Sequence, residues 1–206
     1  MIAIIDYGVG NVRSVQNMIN LAGLKSTITS DPSVLREADR LVMPGVGHFT
    51  YAMNCLHKSG LVDVISELVL NNKVPILGIC LGSQLMGRRS EEGDTNGLGW
   101  IDMDVVAFDK TKLTSGETVP HMCWADTFGV AHPLFAGMPQ VPPRFYYVHS
   151  FHFNCSDSHQ VICYTDHGYR FASGVAVGNI IGLQFHPEKS HAYGRQLFKN
   201  WAAMQF

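Results

Sequence analysis

The sequence predicts an α/β protein: a three-layer, doubly wound, mostly parallel sheet with added β-hairpins. Three observations lead there. The first half alternates short apolar runs with helically spaced ones, at the lengths of successive βα units. The second half carries short β-like runs separated by turn signals. Between them, Pro75-Ile76-Leu77-Gly78-Ile79-Cys80-Leu81-Gly82 is an apolar run that ends in a cysteine with glycine two residues away on each side. That is the thiol form of a strand–turn–helix nucleophile elbow.

The elements follow in order. Ile2 to Ile5 is short and continuously apolar, as a strand buried on both faces would be. Val12, Val15, Ile19 and Ala22 recur at helical spacing. Ser26 to Thr29 reads as a second strand and Arg40 to Met43 as a third, closed by Pro44-Gly45-Val46-Gly47. Helical patterns over about 49–58 and 61–71 precede the strand Ile76 to Ile79, and a helix starts near Gly82. Trp100 to Phe108 alternates like a half-buried strand. Arg144 to Phe153, Val161 to Thr165, Tyr169 to Val177 and Asn179 to Phe185 are β-like runs. A last helix spans about Ser190 to Ala203, with Leu197, Phe198 and Trp201 on one side.

Composition bounds the answer. The 206 residues are 46% hydrophobic and 16% charged, enough for a substantial core. No repeat or low-complexity linker divides them, so a single domain over 1–206 is expected. A formal net charge of −2 argues against a broad nucleic-acid surface. No apolar stretch approaches the roughly 20 residues that span a bilayer, so no membrane partner is expected. Five cysteines, an odd number without a C-x-x-C pair, suggest reduced thiols and a cytoplasmic setting. Cys55, Cys155 and Cys163 read as structural; Cys123 has the same reading, but its place beside Trp124 leaves it open. No metal is expected: His149 and His152 sit three apart on a strand-like run and face opposite ways. No cofactor is expected either, because Arg13 breaks one G-x-G-x-x-G pattern and Thr50 the other.

The chemistry centres on Cys80. A strained elbow exposes the nucleophile, and the helix N-terminus beside it favours thiolate. Such a nucleophile needs a base and a group to orient that base. His186 and Glu188 lie two apart on an extended segment, so they point the same way, with Pro187 keeping the chain extended. The acyl oxyanion needs backbone N–H donors. Leu81 follows the nucleophile, and the loop Gly45-Val46-Gly47 follows a strand on the same sheet edge.

With these residues in place, the chain resembles the class I (triad) glutamine amidotransferases. Within them it is most similar to the glutaminase subunits of imidazole glycerol phosphate synthase. The resemblance runs nearly end to end, through Asp6 to Asn11, Pro44 to Phe49, Leu77 to Gln84, Ser90-Glu91-Glu92, Gly97 to Trp100, Pro120-His121-Met122 with Trp124, Tyr147 to Ser150, and Phe185 to Ser190. It implies a flavodoxin-like three-layer core. It also implies hydrolysis of L-glutamine through a Cys80 thioester, with His186 as base and acid and Glu188 behind it. Gln84, Glu92 and Ser150 match positions that hold glutamine. Asn11, Met122, Trp124 and Lys189 match positions that face a (β/α)8-barrel synthase, the cyclase subunit of a heterodimer, which receives the ammonia.

Some positions depart from that pattern. Ser83 stands where methionine is usual, Cys123 and Ala125 where glycine and asparagine are, and Phe151 where tyrosine is. The segment Ser190 to Gly194 also resembles a paralogous branch that supplies ammonia for amidino-sugar synthesis in surface polysaccharide. A thiol peptidase of similar fold is a further alternative, disfavoured by Gln84 and the Pro44 to Phe49 loop.

Overall fold

A computed structural model of the chain describes residues 1–129 and 131–206. Its first half comprises β1 (Ile2–Ile5), α1 (Val12–Leu21), β2 (Ser26–Thr29), α2 (Pro32–Arg36), β3 (Arg40–Gly45), α3 (Phe49–Lys58), α4 (Val62–Ser66), β4 (Ile76–Cys80) and α5 (Leu81–Gln84). Short strands β5 (Arg89–Ser90) and β6 (Thr95–Asn96) lead to β7 (Met103–Ala107), β8 (His121–Asp126) and β9 (Phe128–Gly129). Then come β10 (Arg144–His149), β11 (Phe151–Cys155), β12 (Val161–His167), β13 (Tyr169–Val177), β14 (Ile180–Leu183) and α6 (His191–Ala203).

The main sheet runs β2-β1-β3-β4-β14-β13-β11-β7-β5-β6, with β12 pairing β13 off this path and β9 pairing β12. Its β2-β1-β3-β4-β14 half is parallel. Alternation along these strands builds the layers. Ile2, Ile4, Val42, Leu77 and Ile79 face α1 and α6, where Val15, Ile19, Leu197, Phe198 and Trp201 complete one core. Ala3, Ile5, Leu41, Met43 and Ile76 face the other way, onto Leu35, Phe49, Met53, Leu56 and Ile65 from α2, α3 and α4. Strand order reverses between β1 and β3, which opens a crevice at the carboxyl ends of the strands, where doubly wound folds bind ligands.

The second half departs from expectation in one informative way. Arg144 to Phe153 is not one strand. β10 pairs antiparallel with β8 in a separate two-stranded sheet, while β11 joins the main sheet between β13 and β7. The burial pattern records the change: Phe145, Tyr147 and His149 are buried on one face of β10, and then His152 and Phe153 are both buried in β11. Ser150 is the hinge between the sheets. The helical pattern over 61–71 also divides, into α4 and a π-helical turn at Glu67–Asn71. The helix after the elbow stops at Gln84. Among the described residues, no helix is long and apolar enough to cross a membrane.

Candidate active site

β4 ends in the elbow. Cys80 has φ 52° and ψ −115°, a left-handed conformation that costs a non-glycine residue about 1–3 kcal/mol and persists only where the surroundings fix it. Here the fixing groups are identifiable. The Ser83 hydroxyl donates toward the carbonyls of Cys80 (2.6 Å) and Leu183 (2.7 Å), tying the turn to β14. Ser83 fits because Gly78 lies beneath it: a Cβ there would stand 2.7 Å from Ser83 Cα. Gly82 packs directly on the Met43 carbonyl, and Gly45 on the Gly82 nitrogen, so β3 and the start of α5 meet backbone to backbone.

His186 lies past the end of β14, with its backbone N–H donating to the Tyr146 carbonyl at 2.9 Å. Ser190 locks this segment, donating to the His186 carbonyl (2.6 Å) and accepting from the Tyr146 N–H (3.0 Å). His186 Nδ1 donates to Glu188 Oε1 at 2.7 Å, and both side chains are 1% exposed. That bond assigns the ring: Nδ1 carries a proton, and Nε2 is left without a protein hydrogen-bond partner, facing the chemistry. Burial pushes the imidazole down, but negative charge on the Cys80 sulfur and on Glu188 outweighs it and raises His186 to about 10. A charged imidazolium beside a sulfur anion is the state from which sulfur attacks and a leaving nitrogen is then protonated.

Cys80 and His186 line a cavity of about 520 Å³, together with Gly10, Asn11, Val46, Gly47, Leu81, Gln84, Val148, His149 and Lys189. Gly47 has φ 98° and open space around its Cβ direction, so the loop above the thiol is uncovered. Leu81 opens α5, where the first N–H groups of a helix have no partner within it. The cavity suits a small polar substrate attacked by sulfur, with N–H groups around the developing oxyanion.

Against this geometry, the comparisons with known proteins agree. The family model for class-I glutamine amidotransferases matches residues 3–204. The chain is a class-I glutamine amidotransferase. It is 44% identical to imidazole glycerol phosphate synthase subunit HisH 2 of Pseudomonas aeruginosa, over 99% of this chain and 100% of that one. It is 46% identical to the HisH subunit of Sulfurimonas denitrificans, over 98% of this chain and 97% of that one. Solved structures share the fold. A crystal structure of a glutamine amidotransferase superposes with a TM-score of 0.73 at 16% identity, covering 98% and 99% of the two chains. PurLQS from Thermotoga maritima gives 0.72 at 18% identity, covering 98% of this chain and 96% of that one.

The amidotransferase brings eight sequence-predicted residues to one cavity: Cys80, His186, Leu81, Val46, Gly47, Gln84, Asn11 and Lys189. Glu188 stands behind His186, and Gly45 beneath the elbow. Glu92 does not line the cavity but accepts the Phe49 N–H at 2.7 Å, at the start of α3 and two residues after Gly47. Ser150 occupies the sheet-switching hinge and is not a lining residue. Met122 is 61% exposed on β8, and Trp124, further along that strand, stacks on His191 with ring centroids 5.5 Å apart. Lys189 Nζ sits 5.4 Å over the Tyr146 ring.

Gln184 was missed. It is fully buried, and its Nε2 lies 3.8 Å from Cys80 Sγ while its Oε1 accepts from Gln84 Nε2 at 3.0 Å. Gln84 Nε2 also donates to the Phe151 carbonyl at 3.1 Å, so only its carbonyl oxygen is available to a substrate. Gln184 precedes His186 by two residues, the same spacing that links His186 to Glu188, but the segment is not the extended one expected: the chain bends at 184–185 and Pro187–Lys189 winds into a 3-10 turn, which brings Glu188 back onto the His186 ring.

Proposed function

We propose that this amidotransferase is the glutaminase subunit of an imidazole glycerol phosphate synthase, working in the cytoplasm as a single amidotransferase unit over residues 1–206. L-glutamine enters the cavity with its side-chain amide at Cys80. The sulfur attacks the amide carbon, an S–C bond forms, and the negative oxygen meets N–H groups of Leu81 and the Gly45 to Gly47 loop. The C–N bond then breaks as His186 gives its proton to the leaving nitrogen, releasing ammonia and a glutamyl thioester. Water, deprotonated by His186, hydrolyses the thioester to glutamate, and expulsion of the sulfur anion beside the reprotonated imidazole restores the starting pair. Ammonia passes to a (β/α)8-barrel cyclase subunit docked on the face that carries Asn11, Met122, Trp124 and Lys189.

The observation that carries this reading is the Cys80–His186–Glu188 arrangement at a strained elbow, with Glu188 Oε1 2.7 Å from His186 Nδ1. The names of the full-length relatives supply the acceptor pathway. The test measures ammonia release from glutamine by the chain alone and mixed with a cyclase subunit and its nucleotide substrate. Stimulation by that partner, lost in Cys80→Ala, is the expected result. Stimulation only by a sugar-pathway synthase would transfer the chain to the paralogous branch.

A further inference from the structure

Beyond the triad, four histidines, His121, His149, His152 and His167, cluster around the Phe108 ring. Among the described residues no such group has metal-binding geometry. Two of them connect surface to site. His149 Nδ1 lies 2.8 Å from the Phe151 carbonyl, and its Nε2 lies 3.0 Å from His121 Nδ1. His121 Nε2 lies 3.2 Å from the sulfur of Cys123, which is exposed on β8.

Donor chemistry fixes the direction. A carbonyl can only accept, so His149 Nδ1 bears the proton and its Nε2, in the neutral ring, is an acceptor. His121 Nδ1 must then donate, which makes His121 Nε2 an acceptor that the Cys123 S–H can serve. The Phe151 carbonyl at the far end also receives Gln84 Nε2, which donates in turn to Gln184, whose amide touches Cys80 Sγ. His121 and His149 face each other across the β8–β10 pair, and His121 is stacked between Tyr147 (5.0 Å) and His167 (4.3 Å).

We propose that Cys123, His121 and His149 form a one-way hydrogen-bond relay that holds the Gln84–Gln184 amide pair against Cys80, making the two histidines positioning residues for glutamine hydrolysis. The proposal rests on the glutaminase reading. Burial keeps the two histidines neutral: His121 is lowered to about 4, and His149 lies well below the ordinary histidine range. The relay acts at the Ser150 hinge, where His149 braces the carbonyl two residues on.

Heteronuclear NMR of the imidazole nitrogens in the full chain near neutral pH reads the tautomers directly, whatever the protein catalyses. Both His121 and His149 are expected protonated at Nδ1. Cys123→Ala should shift the His121 Nε2 resonance, and Cys123→Ser should return it toward the wild type. In glutaminase assays with the partner present, His121→Leu should lower kcat about tenfold with KM nearly unchanged, the loss of about one strong hydrogen bond. His121→Asn, whose amide still donates to His149, should recover most of that loss. An Nε2-protonated His121, or equal kcat in the Leu and Asn variants, overturns the relay. If His121→Leu does not fold, the tautomers and the Cys123 pair decide. Absence of ammonia release altogether would instead defeat the glutaminase reading and leave the NMR result standing on its own.

Discussion

At the scale of single residues, the decisive relation is between His186 and Glu188. Their bond fixes the tautomer, and the carboxylate helps to hold the ring charged. Because the imidazole is raised to about 10, its protonated form persists through neutral pH and is lost as pH rises through that value. Glu188→Gln removes the charge while keeping the shape. Its kcat/KM should fall on the order of 10²–10⁴-fold, as when a triad carboxylate is neutralised. The alkaline limb of its pH profile should move toward neutral, and a limb left in place would show that Glu188 does not act on the ring. This pair was legible in the sequence because two titratable groups stand two apart beside a proline. Gln184 was not, although it has the same spacing. An amide announces no acid–base chemistry, and its partner Gln84 is brought to it by folding from 100 positions away.

At the scale of elements, the elbow is held by close backbone approach. A Cβ on Gly82 would enter the Met43 carbonyl, and neither backbone can retreat without parting β3 from α5. Gly82→Ala should therefore destabilise by about 3 kcal/mol or more, with a Tm lower by about 6–12 °C for a chain of this size. Ser83→Ala is a milder probe of the same turn. It removes the hydroxyl shared by the Cys80 and Leu183 carbonyls and should cost about 1–2 kcal/mol. Calorimetry on the two variants checks the order, and a Gly82→Ala protein as stable as the wild type would refute the packing argument. The parallel half of the sheet was legible because strands such as β1 and β4 are buried on both faces and read as unbroken apolar runs. β8 was not. His121-Met122-Cys123-Trp124-Ala125-Asp126 shows no clean alternation, since it pairs with β10 alone in the two-stranded sheet. Without β8, nothing marks the point at Ser150 where the chain changes sheets.

At the scale of the whole molecule, the three-layer half supplies the rim of the crevice, and the core beneath α1 and α6 runs on into the β-rich half, where histidines surround Phe108. That arrangement sets the response to pH. His121, His149 and His152 are held below the ordinary histidine value chiefly by burial. In the unfolded chain they titrate near 6.5. Between there and the folded value, about 4 for His121, the unfolded state binds more protons, so stability falls as pH drops through this window. Glu117, held down to about 2 by hydrogen bonds from Thr114 and Gly168, adds its own loss at lower pH, below the ordinary glutamate value. His186 acts with the opposite sign: its raised value stabilises the fold below about 6.5, and that contribution is lost as pH rises toward about 10. Tm should therefore peak near neutral pH and fall on both sides. On the acid side each buried histidine adds up to about 1.4 kcal/mol per pH unit. His152 makes a clean test, since its Nε2 lies 2.8 Å from the Tyr169 hydroxyl and it takes no part in the cavity. His152→Gln keeps a polar partner for that hydroxyl but cannot titrate. Scanned against pH, its melting curve should lose less on the acid side than the wild type and match it on the alkaline side. An acid limb as steep as the wild type would mean that His152 is not among the groups whose burial sets it.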